Sequence, residues 1–335
     1  MSGKPHMSGS DVRTFIALAV VLAASAPGAR ALDRVTLGTD WKAEAEHGGY
    51  YQAVATGLYQ KHGIELALRQ GGPQVNQAQL LAAGRIEFSI ASNSFIPLNF
   101  AKSGIPMVAV AGLFQKDPAV LIAHKGVGND SLAALKGKPI MVGGDTRVGW
   151  WLFLKAKFGY TDDQIRTYDF NIAPFLANPN AVQQGYLTSE PYLVEKAGTS
   201  PNVFLIADEG YASYASVIET SQKLAAEKPD LVQRFIDASI EGWYSYIYGD
   251  PDPGNALIKK DNPEESDELL AYAIAKMKEY GIVDSGDSQK DGIGAMSDSR
   301  WQSFFEVMAG EGLYPKDMAY GRAFTNDFLP KGAGR

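Results

Sequence analysis

The sequence predicts an α/β fold built as two lobes, each a sheet flanked by helices. Strand-like apolar segments alternate with helical segments from residue 35 to residue 207. A repeated strand–helix–strand order favours parallel strands with right-handed crossovers. After residue 220 the pattern is helix after helix with no strands between them, so we expect these helices to coat an existing sheet.

The individual elements follow from the periodicity of apolar residues, about 3.6 in helices and 2 in strands. The first half predicts strands at 35–38, 64–68 and 86–90, helices at 48–62, 75–83 and 93–102, and apolar segments at 107–113 and 119–124. The second half predicts strands at 139–142, 165–170, 186–187 and 203–207, with helices at 148–158, 174–184 and 191–196. The C-terminal helices are predicted at 229–248, 253–260, 264–280 and 298–309.

This order of elements predicts a discontinuous first lobe. The chain is expected to leave that lobe near His124 and to return between Tyr214 and Ile218. The first lobe would then comprise residues 32–124 and 218–335, and the second lobe residues 125–217. Two crossover strands would act as a hinge, with a cleft between the lobes.

The N-terminus has the pattern of an export signal. Lys4 and Arg13 precede an apolar run from Phe15 to Ala26, which is too short to span a bilayer. Ala29-Arg30-Ala31 supplies a small-x-small cleavage pattern, so residues 1–31 are a predicted signal peptide cleaved after Ala31. The alternative interpretation is a buried N-terminal helix.

The composition of the chain indicates its cellular compartment and excludes some classes of partner. The chain has no cysteine, which excludes disulfides and a lipid anchor at the cleavage site, and no later run of 18 apolar residues follows. The formal charge is −7, and removal of residues 1–31 takes away three basic residues and one acidic residue, leaving −9. Such a charge argues against nucleic acid and anionic membranes as partners. We expect a soluble periplasmic monomer.

Polar turns follow several of the predicted strands, where open α/β sheets bind their ligands. Backbone N–H groups and short polar side chains at these turns would converge on one crevice, and neighbouring aromatic rings would stack on a planar solute. For each ring the alternative is a place in the core. The candidate ligand-binding residues are Trp41, His47, Tyr50, Ser92, Asn93, Gly144, Asp145, Thr146, Arg147, Trp150, Ser189, Glu190 and Tyr192.

Two charged candidates favour different solutes. Glu190, in "GYLTSEPYLVEKAG" (185–198), lies at a strand-to-helix junction and could accept N–H donors from a nitrogen-rich ring. Its alternative role is that of an acid that stabilises a helix N-terminus. Arg147, beside Gly144 at a helix start, could instead receive a sulfonate or carboxylate, or could be a solvated surface arginine.

Several stretches resemble the solute-binding proteins of ATP-binding-cassette (ABC) importers. The resemblance is closest to the group that binds nitrate, sulfonates, taurine and the pyrimidine precursors of thiamine, and it covers essentially the whole mature chain. It implies the type II periplasmic binding protein fold, a small-molecule solute and an ABC permease in the inner membrane as partner. The stretches are "GYYQAVATGLYQKHGIELAL" (49–68), "LLAAGRIEFSIASNS" (80–94), "GIPMVAVAGLFQKDPAVLIAH" (104–124), "LKGKPIMVGG" (135–144) and "KPDLVQRFIDASIEGW" (228–243).

The resemblance also implies roles for three candidates. Thiamine-precursor relatives carry Trp and His at the spacing of Trp41 and His47, and Glu190 matches an acid that can bind an amino-substituted ring. This sequence departs from them at residues 42–46, "KAEAE", where relatives often have proline and asparagine. The expected solute is an amino-substituted pyrimidine or related N-heteroaromatic, and the alternative is an alkanesulfonate, taurine or nitrate.

An enzyme of the pyrimidine phosphate synthase type is the alternative from another class. That family shares the fold, consumes its own histidine alongside a pyridoxal phosphate lysine, and carries a cysteine-rich segment that this cysteine-free chain lacks. The sequence contains no HExxH, GxSxG, P-loop or GxGxxG after a strand, and its four histidines are scattered. We therefore expect a binding protein with no catalytic residues, no cofactor and no metal site.

Overall fold

The computed structural model describes Gly3, residues 31–73 and residues 75–329. Apart from Gly3 and Ala31, the predicted export segment lies outside the described residues. Every element given below belongs to the unit that begins at Leu32. None of the described helices is both long and apolar enough to cross a membrane.

Two five-stranded sheets organise the described residues. The first has the order β2-β1-β3-β10-β4 and the second β7-β6-β8-β5-β9. β10 runs antiparallel to β3 and β4, and β5 runs antiparallel to β8 and β9, whereas the other pairs are parallel. The strands are β1 (Asp33–Gly38), β2 (Ile64–Arg69), β3 (Phe88–Asn93), β4 (Met107–Phe114), β5 (Ala119–His124), β6 (Ile140–Val142), β7 (Ile165–Thr167), β8 (Val182–Tyr186), β9 (Pro201–Leu205) and β10 (Ala215–Ser221).

The chain passes from the first sheet to the second between Phe114 and Ala119, and returns between Leu205 and Ala215. The sequence predicted the first change of lobe near His124, whereas β5 pairs entirely within the second sheet. All of β4 and most of β5 are buried apolar residues. Such runs carry no alternation that could tell which sheet a strand joins. The lobe boundaries themselves stay a prediction.

Helices cover both sheets, and the C-terminal helices pack largely on the first. Phe235 of α9, for example, stacks on Phe88 of β3 with ring centroids 3.8 Å apart. The described helices are α1 (Gly48–Ala55), α2 (Leu58–Lys61), α3 (Gln77–Ala82), α4 (Phe95–Ser103), α5 (Trp150–Phe158), α6 (Ala173–Ala177), α7 (Glu190–Lys196), α8 (Gln222–Glu227), α9 (Pro229–Tyr248), α10 (Asp252–Asp261), α11 (Asp267–Glu279), α12 (Ser288–Asp291) and α13 (Asp298–Gly310).

The predicted helix 174–184 is wrong in its second half. α6 ends at Ala177, and residues 182–186 form β8 instead. Pro179 disfavours helical backbone at Asn178, which has extended angles of φ −126° and ψ 107°. The predicted helix 48–62 is likewise divided, because Gly57 has a left-handed φ of 74° between α1 and α2.

Candidate functional site

A small cavity lies where the ends of strands from both sheets meet. Its volume is about 10 Å³, which is room for about one water molecule. Four of its lining residues follow β1, and the others end β4, end β8 or belong to β10. The lining residues are Asp40, Glu44, Glu46, His47, Phe114, Tyr186 and Ser216.

His47 and Asp40 form a hydrogen-bonded pair in this cavity, with 2.9 Å between His47 Nε2 and Asp40 Oδ1. The His47 side chain is buried, and its Nδ1 has no hydrogen-bond partner among the described residues. Burial opposes ionisation of Asp40, but the hydrogen bond and charge of His47, together with a hydrogen bond from Ser92, lower the pKa of that carboxyl. Asp40 therefore carries a negative charge that can orient His47 toward a solute.

The carboxyl groups of Glu44 and Glu46 line the same cavity. Burial raises the pKa of Glu44, and the charges of Glu46, Glu265, Asp40 and Glu190 raise it further. Burial also raises the pKa of Glu46, although a hydrogen bond from the Thr188 hydroxyl opposes the shift.

No arginine or lysine is among the described residues that line the cavity. Burial and the charge of Glu46 raise the pKa of Glu265 to about 8. The side chain of Glu44, at the start of a 3-10 helix spanning Ala45–His47, makes no capping hydrogen bond. A solute that donates N–H groups or carries positive charge would relieve this repulsion, whereas an anion would increase it.

Ser216 contributes strain to the cavity wall. It has a left-handed φ of 45° within β10, which is unfavourable for any residue with a Cβ. Its hydroxyl is buried beside the Tyr50 hydroxyl but makes no hydrogen bond of good geometry within the described part of the chain. Buried polar groups in proteins are nearly always paired, so this hydroxyl is available to a solute or a water molecule. Strained residues also tend to cluster at ligand sites.

The predicted candidates of the first sheet lie around this cavity in different ways. His47 lines it, and Ser92 reaches it through Asp40. Trp41 is half-buried and lies against Phe170 with ring centroids 4.4 Å apart. Tyr50 packs in the core edge-on to Trp243, and its buried hydroxyl lies beside Ser216 and Trp243 without a hydrogen bond of good geometry among the described atoms.

Asn93 has a structural contact instead. Its Oδ1 accepts a hydrogen bond from the backbone N–H of Phe95 at 3.1 Å, at the start of α4. This bond satisfies one of the free N–H groups that every helix start presents. Asn93 is half-buried, and it is not among the residues that line the cavity.

The polar turn after β6 is organised by Gln184 of β8. Gln184 Oε1 accepts hydrogen bonds from the backbone N–H of Gly143 at 2.6 Å and from the Thr146 hydroxyl at 2.8 Å. Asp145 belongs to a 3-10 helix that spans Asp145–Val148, while Gly144 and Arg147 are exposed. Trp150 is buried in a hydrophobic core cluster that contains residues of both sheets. None of these residues lines the cavity.

The carboxylate of Glu190, the first residue of α7, is directed toward β8, the strand that precedes it. Its Oε2 accepts a hydrogen bond from the backbone N–H of Tyr186 at 2.8 Å, and its Oε1 accepts one from the Tyr168 hydroxyl at 3.3 Å. Burial raises the pKa of Glu190 despite these bonds. Ser189 caps α7 at its N-terminus without a side-chain hydrogen bond. Glu190 therefore does not line the cavity itself but contacts Tyr186, which does.

Tyr192 lies further along α7 and meets the first sheet's helices. Its ring lies 5.2 Å from that of Tyr272 on α11, centroid to centroid. Lys196 donates to its hydroxyl at 3.3 Å and also lies over its ring. Tyr192 therefore contacts residues of α7 and α11 and does not reach the cavity lining.

Sequence reasoning missed several residues of the cavity. Asp40, Glu44 and Glu46 lie in the same turn as Trp41 and His47, so the run "DWKAEAEH" (40–47) contained a signal for an acidic site. Ser216 gave no signal, because a left-handed φ at serine cannot be read from sequence. Within the described residues, no group of three or more histidines, aspartates and glutamates is arranged to hold a metal ion.

Comparison with known proteins gives a consistent family. The NMT1/THI5-like family model matches residues 44–253. RibY, a riboflavin-binding protein of Chloroflexus aurantiacus, is 26% identical over 320 residues, which cover 93% of this chain and 90% of that protein. A 4-amino-5-hydroxymethyl-2-methylpyrimidine phosphate synthase of Schizosaccharomyces pombe is 26% identical over 149 residues, or 44% of this chain and 42% of the synthase.

Solved structures confirm the predicted fold. The periplasmic aliphatic sulphonate binding protein SsuA of Escherichia coli superposes with a TM-score of 0.66 at 14% identity. The superposition covers 90% of this chain and 94% of SsuA. Two sheets flanked by helices, connected by two crossings, are therefore the fold of the periplasmic binding proteins in this chain as well.

Proposed function

Because this chain belongs to the NMT1/THI5-like family, we propose that it is the solute-binding component of an ABC-type importer. It would act in the periplasm after removal of residues 1–31 and deliver its solute to a permease in the inner membrane. The similarity to RibY over 93% of the chain supports a binding role, since RibY is a riboflavin-binding protein.

The solute is a planar nitrogen heteroaromatic with N–H donors, such as an amino-substituted pyrimidine. The observation that carries this proposal is the cavity itself, where Asp40, Glu44 and Glu46 surround the buried His47. Carboxylates accept N–H donors in charge-assisted hydrogen bonds, which are about twice as strong as neutral ones. Trp41 follows Asp40 in the chain and supplies an aromatic ring for stacking, which Phe170 contacts in this arrangement.

Glu190 has a supporting role in this proposal. Both of its carboxylate oxygens already accept hydrogen bonds from residues of its own sheet. Its negative charge raises the pKa of Glu44. It therefore adds to the negative potential that favours a hydrogen-bond donor in the cavity. Asp40 and Glu46 already have hydrogen-bond partners in His47 and Thr188, so Glu44 is the lining carboxyl proposed to contact the solute.

A sulfonate, taurine or nitrate solute is less compatible with this site. An anion would enter beside at least three carboxyl groups, with no arginine or lysine in the cavity lining. Arg147, the cation that favoured this alternative, is exposed on the turn after β6. The likeness to SsuA, at 14% identity, concerns the fold and carries no argument about the solute.

Capture requires the lobes to part. The cavity holds about one water molecule, so even a single pyrimidine ring does not fit in this arrangement. Rotation about the two crossings, residues 115–118 and 206–214, would open the cleft and close it again on the solute. Binding without turnover then distinguishes this protein from a synthase.

Titration calorimetry with 4-amino-5-hydroxymethyl-2-methylpyrimidine, riboflavin and taurine tests the proposal. We expect binding of at least one of the two heteroaromatics, no binding of taurine, and a loss of about 1 to 3 kcal/mol in Glu44→Gln, where a donor replaces an acceptor. Arg147→Ala is the control and should leave that affinity unchanged.

Two outcomes would reverse this assignment. Tight taurine binding that disappears in Arg147→Ala would favour the sulfonate alternative. Conversion of the pyrimidine by the pure protein, detected by mass spectrometry, would favour an enzyme.

A further inference from the structure

Phe170 is an unusual residue in an unusual place. It lies in the loop between β7 and α6 and has a left-handed φ of 64°. Ser216 in the cavity wall is the other non-glycine residue with positive φ in the described part of the chain. A bulky residue rarely adopts this backbone, and such strain persists where surrounding contacts or function require it.

The ring of Phe170 covers Trp41 from the opposite sheet. The two ring centroids are 4.4 Å apart and the planes are inclined by 50°. Phe170 also lies against Gly143, since a Cβ added there would be 3.1 Å from Phe170 Cζ. The ring thus fills the space between the Trp41 face and the polar turn after β6.

Phe170 also connects Trp41 with Glu190, two of the candidates that the sequence predicted. Its ring lies 5.1 Å from that of Tyr168, whose hydroxyl donates to Glu190. Trp41, Phe170, Tyr168 and Glu190 form a continuous row across the boundary between the sheets. Although Phe170 is part of this row, its side chain is 40% exposed.

We propose that Phe170 is a displaceable aromatic cover, which occupies the face of Trp41 until an aromatic solute takes its place. This role rests on the proposed function for the nature of the solute. When the lobes close again, a solute stacked on Trp41 takes the place that the Phe170 ring holds in this arrangement, so it must displace that ring. Phe170 is the group that leaves most easily, because its backbone is strained and its ring is incompletely buried.

Displacement makes Phe170 a determinant of specificity. A solute must gain more from stacking on Trp41 than Phe170 does, which small or non-planar solutes cannot do. The cover also lowers the apparent affinity for every solute, since only the uncovered fraction of the protein is competent to bind.

The cover can be tested without any solute by acrylamide quenching of tryptophan fluorescence. Trp150, Trp151, Trp243 and Trp301 are at most 5% exposed, so the quencher reports on Trp41. We expect quenching to increase in Phe170→Ala and the accessible component to disappear in Trp41→Phe. The control is Val307→Ala, which shortens another exposed apolar side chain, on α13. Unchanged quenching in Phe170→Ala would overturn the cover.

Calorimetry with riboflavin and 4-amino-5-hydroxymethyl-2-methylpyrimidine then tests displacement. Phe170→Ala should raise the affinity for the bound probe by about three- to tenfold, whereas Trp41→Ala should lower it by about tenfold. An affinity that is lost or unchanged in Phe170→Ala would overturn displacement. If no variant binds either probe, the proposed solute class is wrong, and the quenching experiment still decides whether Phe170 covers Trp41.

Discussion

The hydroxyl of Thr188 donates a hydrogen bond to the buried carboxylate of Glu46, and this bond joins the two sheets. Thr188 follows β8 in the second sheet, and Glu46 follows β1 in the first. The bond opposes the rise in the pKa of Glu46 that burial causes. The closed arrangement of the cleft therefore depends on a polar contact within the acidic cavity wall.

Thr188→Val removes this donor and retains the shape of the side chain. We expect the free energy of unfolding to fall by about 1 to 3 kcal/mol, because the Glu46 carboxylate is left buried without its donor. Urea unfolding at neutral pH measures the difference. Thr188→Ser, which retains the hydroxyl, should lose much less, and equal losses in both variants would show that methyl packing, not the hydrogen bond, is responsible.

Ser216 allows strain and hydrogen bonding to be separated. Ser216→Gly should relieve the left-handed backbone strain, which costs about 1 to 2 kcal/mol for a residue with a Cβ. Part of this gain is lost because glycine has more conformational freedom in the unfolded chain. Ser216→Ala keeps the strain and removes the unpartnered hydroxyl. Thermal unfolding should thus rank the glycine variant above the alanine variant, and the reverse order would contradict the strained backbone.

The buried carboxyl of Glu219, in β10, should make the free energy of unfolding depend on pH. Burial raises the pKa of this carboxyl from about 4.5 to about 8, only partly opposed by a hydrogen bond from Ser89 at 3.4 Å. Between pH 4.5 and 8 the unfolded chain ionises this group while the folded chain keeps it neutral. Its contribution to stability is therefore complete below about pH 4.5 and is lost as the pH rises toward 8.

Glu219→Gln should remove this dependence, since glutamine does not titrate. The slope of the unfolding free energy between pH 4.5 and 8 should decrease by up to about 1.4 kcal/mol per pH unit. Urea unfolding across this range measures the slope. Glu311→Gln, at an exposed position, should leave it unchanged, and an unchanged slope in Glu219→Gln would mean that Glu219 is ionised in the folded protein.

Arg300 connects the two crossings between the sheets. Its guanidinium donates to the carbonyl of Gln115 in the first crossing and to those of Ala212 and Ser213 in the second, at 2.9 and 3.0 Å for the latter two. It also lies 4.0 Å above the ring of Tyr214. One planar cation thus holds both segments about which the lobes would move.

Arg300→Lys keeps the charge but loses the planar fork that reaches three carbonyls. We expect a loss of about 2 to 3 kcal/mol in unfolding free energy and faster hydrogen exchange at residues 115–118 and 206–214. Arg322→Lys, at an exposed position, is the matched control. Exchange at the two crossings that is no faster than in Arg322→Lys would show that Arg300 does not restrain them.

The sequence predicted most elements correctly, because strong periodicity and glycine or proline punctuation are local properties. It failed where the deciding information was distant in sequence. β5 has the apolar composition of β4, and only pairing with β8 and β9 assigns it to the second sheet. Similarly, the apolar positions of residues 182–186 fit either a helix or a strand until the sheet is assembled.

The candidate site shows the same division. Trp41, His47 and Glu190 were predicted as ligand contacts because they follow predicted strands, and strand ends of α/β sheets bind ligands. Of these three, only His47 lines the cavity. Their partners were not found, because Thr188 approaches Glu46 from 142 positions away and Phe170 approaches Trp41 from the other sheet. Likewise, burial and then neighbouring charges raise the pKa of Glu44, and two of those neighbours, Glu265 and Glu190, are remote in the chain.

The sequence by itself determined the α/β class, the resemblance to importer binding proteins and the strand-end turns, since each depends on residues close together in the chain. Only the tertiary structure decided which turns form one cavity, which carboxyls share it, and that Phe170 lies on Trp41. These are effects of burial and through-space distance, and they arise when two sheets built from interleaved parts of the chain come into contact.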